Sequence, residues 1–182
     1  MSVWTELCMP VERELVIGLY DLRNYTAFCR RATALEALDL VTGYHGFVGK
    51  IIADAGGLLI KAIGDAGLFS FLGEAADEAI RAMRAFHTEG NRWLDANGYP
   101  GHVRTVMHVG PVAIGKIGGP GREYLDIIGA PVNIVGAMRA EGDIAIAITP
   151  ALFRKLSAET RALFKKHTPP ISYIGVDDRR PG

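Results

Sequence analysis

Short apolar runs and stretches of period near 3.6 alternate along the chain, and the two rhythms divide it into strands and helices. ELVIGLYD (14–21) is a short apolar run ended by an acid, which predicts a buried strand leaving its core at Asp21. Leu40, Val41, Tyr44, Val48, Ile51 and Ile52 recur at helical spacing and Gly56-Gly57 stops them. An amphipathic helix is therefore expected over 39–54, with His45 and Lys50 on its polar face. GGLLIKAIGDAGLFSFLG (56–73) holds two apolar runs around Gly64-Asp65-Ala66-Gly67, the pattern of a β-hairpin with Asp65 at its tip. Over 74–96, Ile80, Met83, Phe86, Trp93 and Leu94 lie on one helical stripe that Asn97-Gly98 terminates.

GHVRTVMHVG and PVAIGKIGG (101–119) are β-branched runs meeting at Gly110-Pro111, so a second hairpin is expected there, followed by the short run EYLDIIG (123–129). PVNIVGAMRAEG (131–142) opens on proline and closes on glycine, which fits a helix of about three turns. DIAIAIT (143–149) alternates as a strand. Thr149-Pro150 is a cap followed by a first-turn proline, Ser157 offers a second cap, and ISYIGV (171–176) reads as a last strand before a loose DDRRPG tail. The order predicts one α+β sheet with helices covering one face, in a single domain with a core over about 14–176.

Charge and composition narrow the function. Twenty Lys+Arg against twenty Asp+Glu leave no basic excess to drive binding to phosphate backbones or anionic membranes. At 182 residues the chain buries a sizeable core without disulfides, and its only cysteines, Cys8 and Cys29, are unclustered, which fits a reducing, cytoplasmic setting. The first ten residues lack a basic start and so do not read as a secretory signal, and no apolar run approaches the roughly 18–20 residues of a membrane helix. The five histidines are scattered rather than spaced as zinc ligands.

Two acids stand at the ends of otherwise apolar strands, Asp21 after ELVIGLY and Asp65 inside KAIGDAG. Carboxylates converging there would suit Mg²⁺, a hard ion that takes one or two protein carboxylates and completes its shell with water and phosphate oxygens. Taken singly, each is equally a turn-forming aspartate.

Four segments in order, LYDLRNYTAF (19–28), KAIGDAGLFSF (61–71), VRTVMHVGPVAIGKIG (103–118) and YLDIIGAPVN (124–133), resemble the catalytic domain of the class III nucleotidyl cyclases. The resemblance covers about residues 14–150 and implies a ferredoxin-like α+β fold with a largely antiparallel central sheet covered by helices. It implies two ions, Mg²⁺ or Mn²⁺, at Asp21 and Asp65 with Leu22. One ion would lower the pKa of the attacking ribose 3′-hydroxyl, and the other would neutralise the triphosphate. Leu22, Arg23, Asn24 and Tyr25 then fill a phosphate-facing turn in which Leu22, Asn24 and Tyr25 meet the substrate. Asn24 stands where the family usually has glycine, and asparagine tolerates the positive φ that such a turn needs.

Lys61 and Asp126 match the family's adenine-reading pair, a donor for a ring nitrogen and an acceptor for the exocyclic amine. Asn133 matches the asparagine that orients the ribose. The family builds its site between two head-to-tail protomers, metals from one and base readers from the other, so the resemblance implies a homodimer acting on ATP.

Two departures stand out. Ala137 takes the place of the transition-state arginine one helical turn after Asn133, and on a continuous helix Arg139 would point about 200° away. No lysine stands in the C-terminal segment PPISYIGVDDRRPG, which offers only Arg179 and Arg180. Losing such a donor costs on the order of a hundredfold to a thousandfold in rate. The sequence therefore reads as an adenylate cyclase of reduced activity or, alternatively, as a non-catalytic homologue that binds nucleotide or a regulatory protein partner. An RNA-binding ferredoxin-like domain is disfavoured by the zero net charge and the lack of an aromatic RNP-type strand.

Overall fold

The structure is a computed structural model and describes residues 4, 10–138, 144–167 and 172–178. In chain order the elements are β1 (Val11–Leu22), α1 (Tyr25–Cys29), α2 (Ala34–Asp54), β2 (Leu58–Ile63), β3 (Ala66–Leu72), α3 (Ala76–Ala96), β4 (Val103–Ile117), β5 (Tyr124–Ile128), α4 (Ala130–Ala137), β6 (Ile146–Ile148), α5 (Pro150–Lys155), α6 (Ala158–Arg161), β7 (Phe164–His167) and β8 (Ser172–Gly175). The strands form one sheet in the order β2-β3-β1-β4-β6-β8-β7, with β5 also on β4. Every pairing is antiparallel except β4 with β6. β1 lies between β3 and β4 with both of its faces covered, which is why Leu15, Val16, Ile17 and Gly18 are all buried rather than alternating.

The two faces of the sheet carry separate cores. Val16, Tyr20, Phe69, Phe71, Met107 and Val109 pack with Tyr44, Val48 and Ile52 of α2, with Ile80, Met83 and Phe86 of α3 and with Leu152 of α5. Leu15, Ile17, Leu68, Val106, Val112 and Ile127 pack instead with Val135 of α4. Helices therefore lie on both faces, and the expectation of one covered face is corrected: the short α4 lays its few apolar residues on the side opposite α2 and α3. No helix of the described residues is long and apolar enough to cross a membrane.

Several predicted boundaries move for identifiable reasons. α2 starts at Ala34 rather than 39, because Thr33 and Glu36 form a reciprocal capping box. Thr33 N–H donates to Glu36 Oε2 at 2.7 Å, and Glu36 N–H donates to Thr33 Oγ1 at 3.2 Å. The apolar period was unreadable in that first turn because Leu35 and Leu38 are 73% and 56% exposed. Gly110-Pro111 is not a turn: β4 runs straight through it, and the hairpin closes further on, between β4 and β5.

Thr105 N–H and Met107 C=O both bond toward β6, and two-residue alternation puts Pro111 on that same edge. It falls between the stretches paired with β6 (105–107) and with β5 (113–117), where a missing N–H breaks no ladder bond. β7 is a strand that the sequence pattern does not predict. Asp178 is not loose, since it accepts from Ala145 N–H at 3.2 Å and Gly175 N–H at 3.1 Å. The caps at Thr149 and Ser157 form as expected, accepting from Leu152 N–H and Thr160 N–H.

Candidate functional site

The last residues of β1 and the β2–β3 tip meet at one end of the sheet. Gly64 takes φ 61° in a two-residue turn between the paired Ile63 and Ala66, as a type II′ hairpin requires of its first central residue. Asp65 follows it, and its Oδ2 accepts from Leu22 N–H at 3.2 Å, so the hairpin tip is tied to the residue after Asp21. Asp21, Leu22, Arg23, Asn24, Tyr25, Thr26, Asp65 and Arg104 line a cleft of about 380 Å³.

Asn24 shapes the cleft floor. It sits at φ 68°, ψ 14° as the N-cap residue of α1, the only non-glycine with positive φ among the described residues, as its identity led us to expect. The turn is pinned from behind, where Arg23 N–H donates to His102 O at 2.8 Å and Tyr99 hydroxyl donates to Arg23 O at 2.6 Å. Gly101 permits that approach, since a Cβ there would lie 2.1 Å from Arg23 O.

Burial pushes the Asp65 carboxyl above its ordinary value and the Asp21 charge adds to it, while the bond from Leu22 N–H opposes both. The Tyr25 hydroxyl is pushed up to about 12, by burial first and then by its hydrogen bond with Cys29, so it is a neutral hydrogen-bonding group rather than a base. Cys29 itself is free and exposed.

Arg104, to which neither the sequence motifs nor the resemblance assigns a role, donates from Nε to Asp21 Oδ1 at 2.7 Å and from Nη2 to Asp21 Oδ2 at 2.5 Å. The signal for it was a charged residue inside the apolar β4 run, directly across from Asp21 in register. His45, expected on the polar face of α2, is half-buried there and joins Tyr20 to Gly64.

Among the described residues, no three His, Cys, Asp or Glu side chains converge as a metal cage. The cleft offers two carboxylates whose mutual repulsion a cation would relieve, a donor set that suits Mg²⁺ or Mn²⁺ completed by water and phosphate oxygens. Leu22 contributes its N–H to Asp65 here.

Lys61 and Asp126 are brought together away from that cleft. Lys61 Nζ donates to Asp126 Oδ2 at 2.6 Å, and Asp126 Oδ1 accepts from Ile127 N–H at 2.9 Å. Asp126 is 1% exposed in the middle of β5, not a turn acid, and Lys61 is 32% exposed. A register shift between Leu59 and Lys61 sets Lys61 opposite Leu68 rather than Gly67, and so on the sheet face away from α2 and α3.

Asn133 and Ala137 are exposed on α4, outside the cleft lining. α4 ends at Ala137 and Met138 is extended, so the angular argument that turned Arg139 away on a continuous helix does not apply. Arg139, Arg179 and Arg180 lie outside the described residues, as does Cys8. The C-terminal segment lacks lysine, but its partner strand β7 carries two: Lys165 donates to Val176 O at 2.8 Å and also to Asp178 O, while Lys166 is exposed across from Tyr173.

Proteins of known structure share this fold. An adenylate cyclase of Anabaena cylindrica is 30% identical over 158 residues, spanning 80% of this chain and 31% of that protein, so the chain corresponds to about a third of that relative's length. A bacterial light-regulated adenylyl cyclase superposes with TM-score 0.80 at 23% identity, over 94% of this chain and 54% of that one. The guanylyl cyclase Cya2 superposes with TM-score 0.74 at 19% identity, over 91% and 92%. With the family model for the adenylate and guanylate cyclase catalytic domain matching residues 10–170, the chain belongs to the class III nucleotidyl cyclase catalytic domains.

Proposed function

We propose that this chain is an adenylate cyclase, converting ATP to 3′,5′-cyclic AMP and pyrophosphate for signalling in the cytoplasm. The observation that carries the reading is the tie between Leu22 N–H and Asp65, which sets the Asp65 carboxylate beside Asp21 in a cleft floored by the Asn24 turn. In this reading Asp21 and Asp65, with Leu22 between them, hold two Mg²⁺ or Mn²⁺ ions. Those ions supply Lewis-acid activation of the 3′-hydroxyl and charge neutralisation on the triphosphate. A bond forms between the ribose 3′-oxygen and the α-phosphorus as the hydroxyl proton passes to water, the α-phosphorus bond to the bridging oxygen of the β-phosphate breaks, and pyrophosphate leaves; no protein nucleophile is needed.

The chain's own groups position the substrate. The turn from Leu22 to Tyr25 lines the phosphate side of the cleft, with Leu22 N–H given to Asp65 and the N–H groups of Asn24 and Tyr25 at the start of α1 left to face the phosphates, and Arg104 adds a guanidinium to the same cleft. Lys61 and Asp126 read adenine, donating to a ring acceptor and accepting from the 6-amino group, whereas guanine would set its carbonyl against a buried carboxylate. Asn133 orients the ribose. The separation of Lys61, Asp126 and Asn133 from the Asp21–Asp65 cleft supports a head-to-tail homodimer, in which one chain's readers face the other's acids.

A second reading, a slow or inactive homologue acting as a nucleotide- or partner-binding regulatory module, is favoured by Ala137, which has no donor to offer a transition state. Incubation with ATP, GTP, CTP and UTP in Mn²⁺, with an Asp65→Ala control and mass-spectrometric detection of cyclic nucleotide, separates the two. Cyclic AMP that disappears in the control supports the cyclase; ATP binding without any product supports the module.

A further inference from the structure

One side chain links the residues immediately before each candidate metal acid. Tyr20, which precedes Asp21, hydrogen-bonds through its hydroxyl to His45 Nδ1 at 2.6 Å, and His45 Nε2 lies 2.8 Å from the carbonyl oxygen of Gly64, which precedes Asp65. A carbonyl only accepts, so His45 Nε2 carries the proton in its bond to Gly64. Burial raises the Tyr20 hydroxyl well above its ordinary range, so it remains a donor.

The anchor is rigid. The Tyr20 ring is fully buried, stacked on Phe69 and edge-on to Phe86 and Tyr44. It occupies the space above Gly67, where a Cβ would fall 2.3 Å from the ring. His45 is carried by the 21-residue α2, whose Tyr44 and Val48 are fully buried. The hairpin tip is therefore gripped from two directions: Asp65 by Leu22 N–H at 3.2 Å, toward the long end for such a bond, and Gly64 by His45 at 2.8 Å.

We infer that His45 is a positioning residue for divalent-ion binding. It sets the Gly64-Asp65 tip against the end of β1, so that the Asp21 and Asp65 carboxylates are presented at one spacing before the ion arrives. This rests on the assignment of those two acids to the metal. A two-residue tip held only by the Leu22 bond would spread Asp65 over several positions, and ion affinity would fall with the fraction of time spent in register.

The test titrates the 182-residue chain with Mn²⁺ alone, read by water-proton relaxation, in four forms: unmodified, Asp65→Ala, His45→Phe and His45→Gln. Phenylalanine keeps the ring and removes both bonds, whereas the glutamine amide reaches the Nε2 position and restores the donor to Gly64. Mn²⁺ affinity is expected to fall tenfold or more in His45→Phe and to return to within about threefold in His45→Gln, with near-ultraviolet circular dichroism unchanged. Unchanged affinity in His45→Phe while Asp65→Ala abolishes binding overturns the positioning role and leaves the metal assignment standing, as does equal loss in both His45 variants. Unchanged affinity in Asp65→Ala overturns the metal assignment itself. Should His45→Phe not fold, Tyr20→Phe deletes only the hydroxyl; a threefold or larger loss supports the inference, and no change overturns it.

Discussion

Arg104 grips Asp21 with two nitrogens, Nε at 2.7 Å from Oδ1 and Nη2 at 2.5 Å from Oδ2, across the register of β1 and β4. Such a bidentate pair satisfies the carboxylate of Asp21 in a cleft where Asp65 already carries the cost of burial and of a neighbouring negative charge. The guanidinium therefore occupies the ground an incoming cation would claim.

Replacing Arg104 by methionine is expected to tighten Mn²⁺ binding several-fold, because a competing cation is gone. Turnover is expected to fall on the order of a hundredfold, because a fixed positive group beside the phosphates is lost. Relaxation titration and a cyclic-nucleotide assay on the same preparation test this; weaker Mn²⁺ binding in Arg104→Met would show that Arg104 serves only to orient Asp21.

Lys61 and Asp126 form a pair with one end fully buried, so removing the lysine alone strands a carboxylate. Lys61→Met should cost about 3 kcal/mol, the lower end for a broken buried pair since a third of Lys61 meets solvent. The double variant Lys61→Met/Asp126→Asn should recover most of that loss, as the asparagine still accepts from Ile127 N–H. Urea unfolding reads both. Lys61→Glu should lose preference for ATP, and unchanged selectivity there would remove the pair from base recognition.

His87 makes the fold acid-sensitive. Burial lowers its pKa to about 3 and the nearby His102 adds to this, so the imidazole stays neutral beside Thr105 while an unfolded chain takes up a proton near 6.5. Stability is thus complete above 6.5 and declines as pH falls toward 3, at up to about 1.4 kcal/mol per pH unit for this one group. Burial lowers His108 in the same direction. Urea midpoints at pH 7.5, 6 and 5 should fall for the unmodified chain and fall less for His87→Gln; parallel curves would assign the acid sensitivity to other groups.

Gly67 and Tyr20 face each other across β1 and β3. A methyl at 67 must displace a fully buried ring, so Gly67→Ala should destabilise by about 1–3 kcal/mol. If Tyr20 anchors His45 as inferred, it should also weaken Mn²⁺ binding more than Gly46→Ala, a substitution at a helix position with open space. Calorimetric unfolding and the Mn²⁺ titration check the two effects separately.

The sequence alone determined what depends on neighbours along the chain. A short apolar run marked the β1 strand, which ends one residue past Asp21, and turn and cap residues marked the hairpin tip at Asp65 and the caps at Thr149 and Ser157, because turn and cap chemistry is local. Asn24 was legible for the same reason: its side chain tolerates the left-handed conformation that the turn needs.

Only the tertiary structure decided what depends on which surfaces meet. Pro111 reads as a turn signal until the gap in its strand's pairing is known, and α4 stops before Arg139 although proline and glycine bracket a longer helix. Lys61 reaches Asp126 because a bulge shifts it by one register position, a single-residue step that alternation cannot foresee. A charge inside the apolar β4 run marks Arg104 but not its partner, and the same holds for His45 on α2: each acquires its partner from a strand or turn remote in sequence, and the free energy that favours such a contact comes from burying both elements against the same sheet.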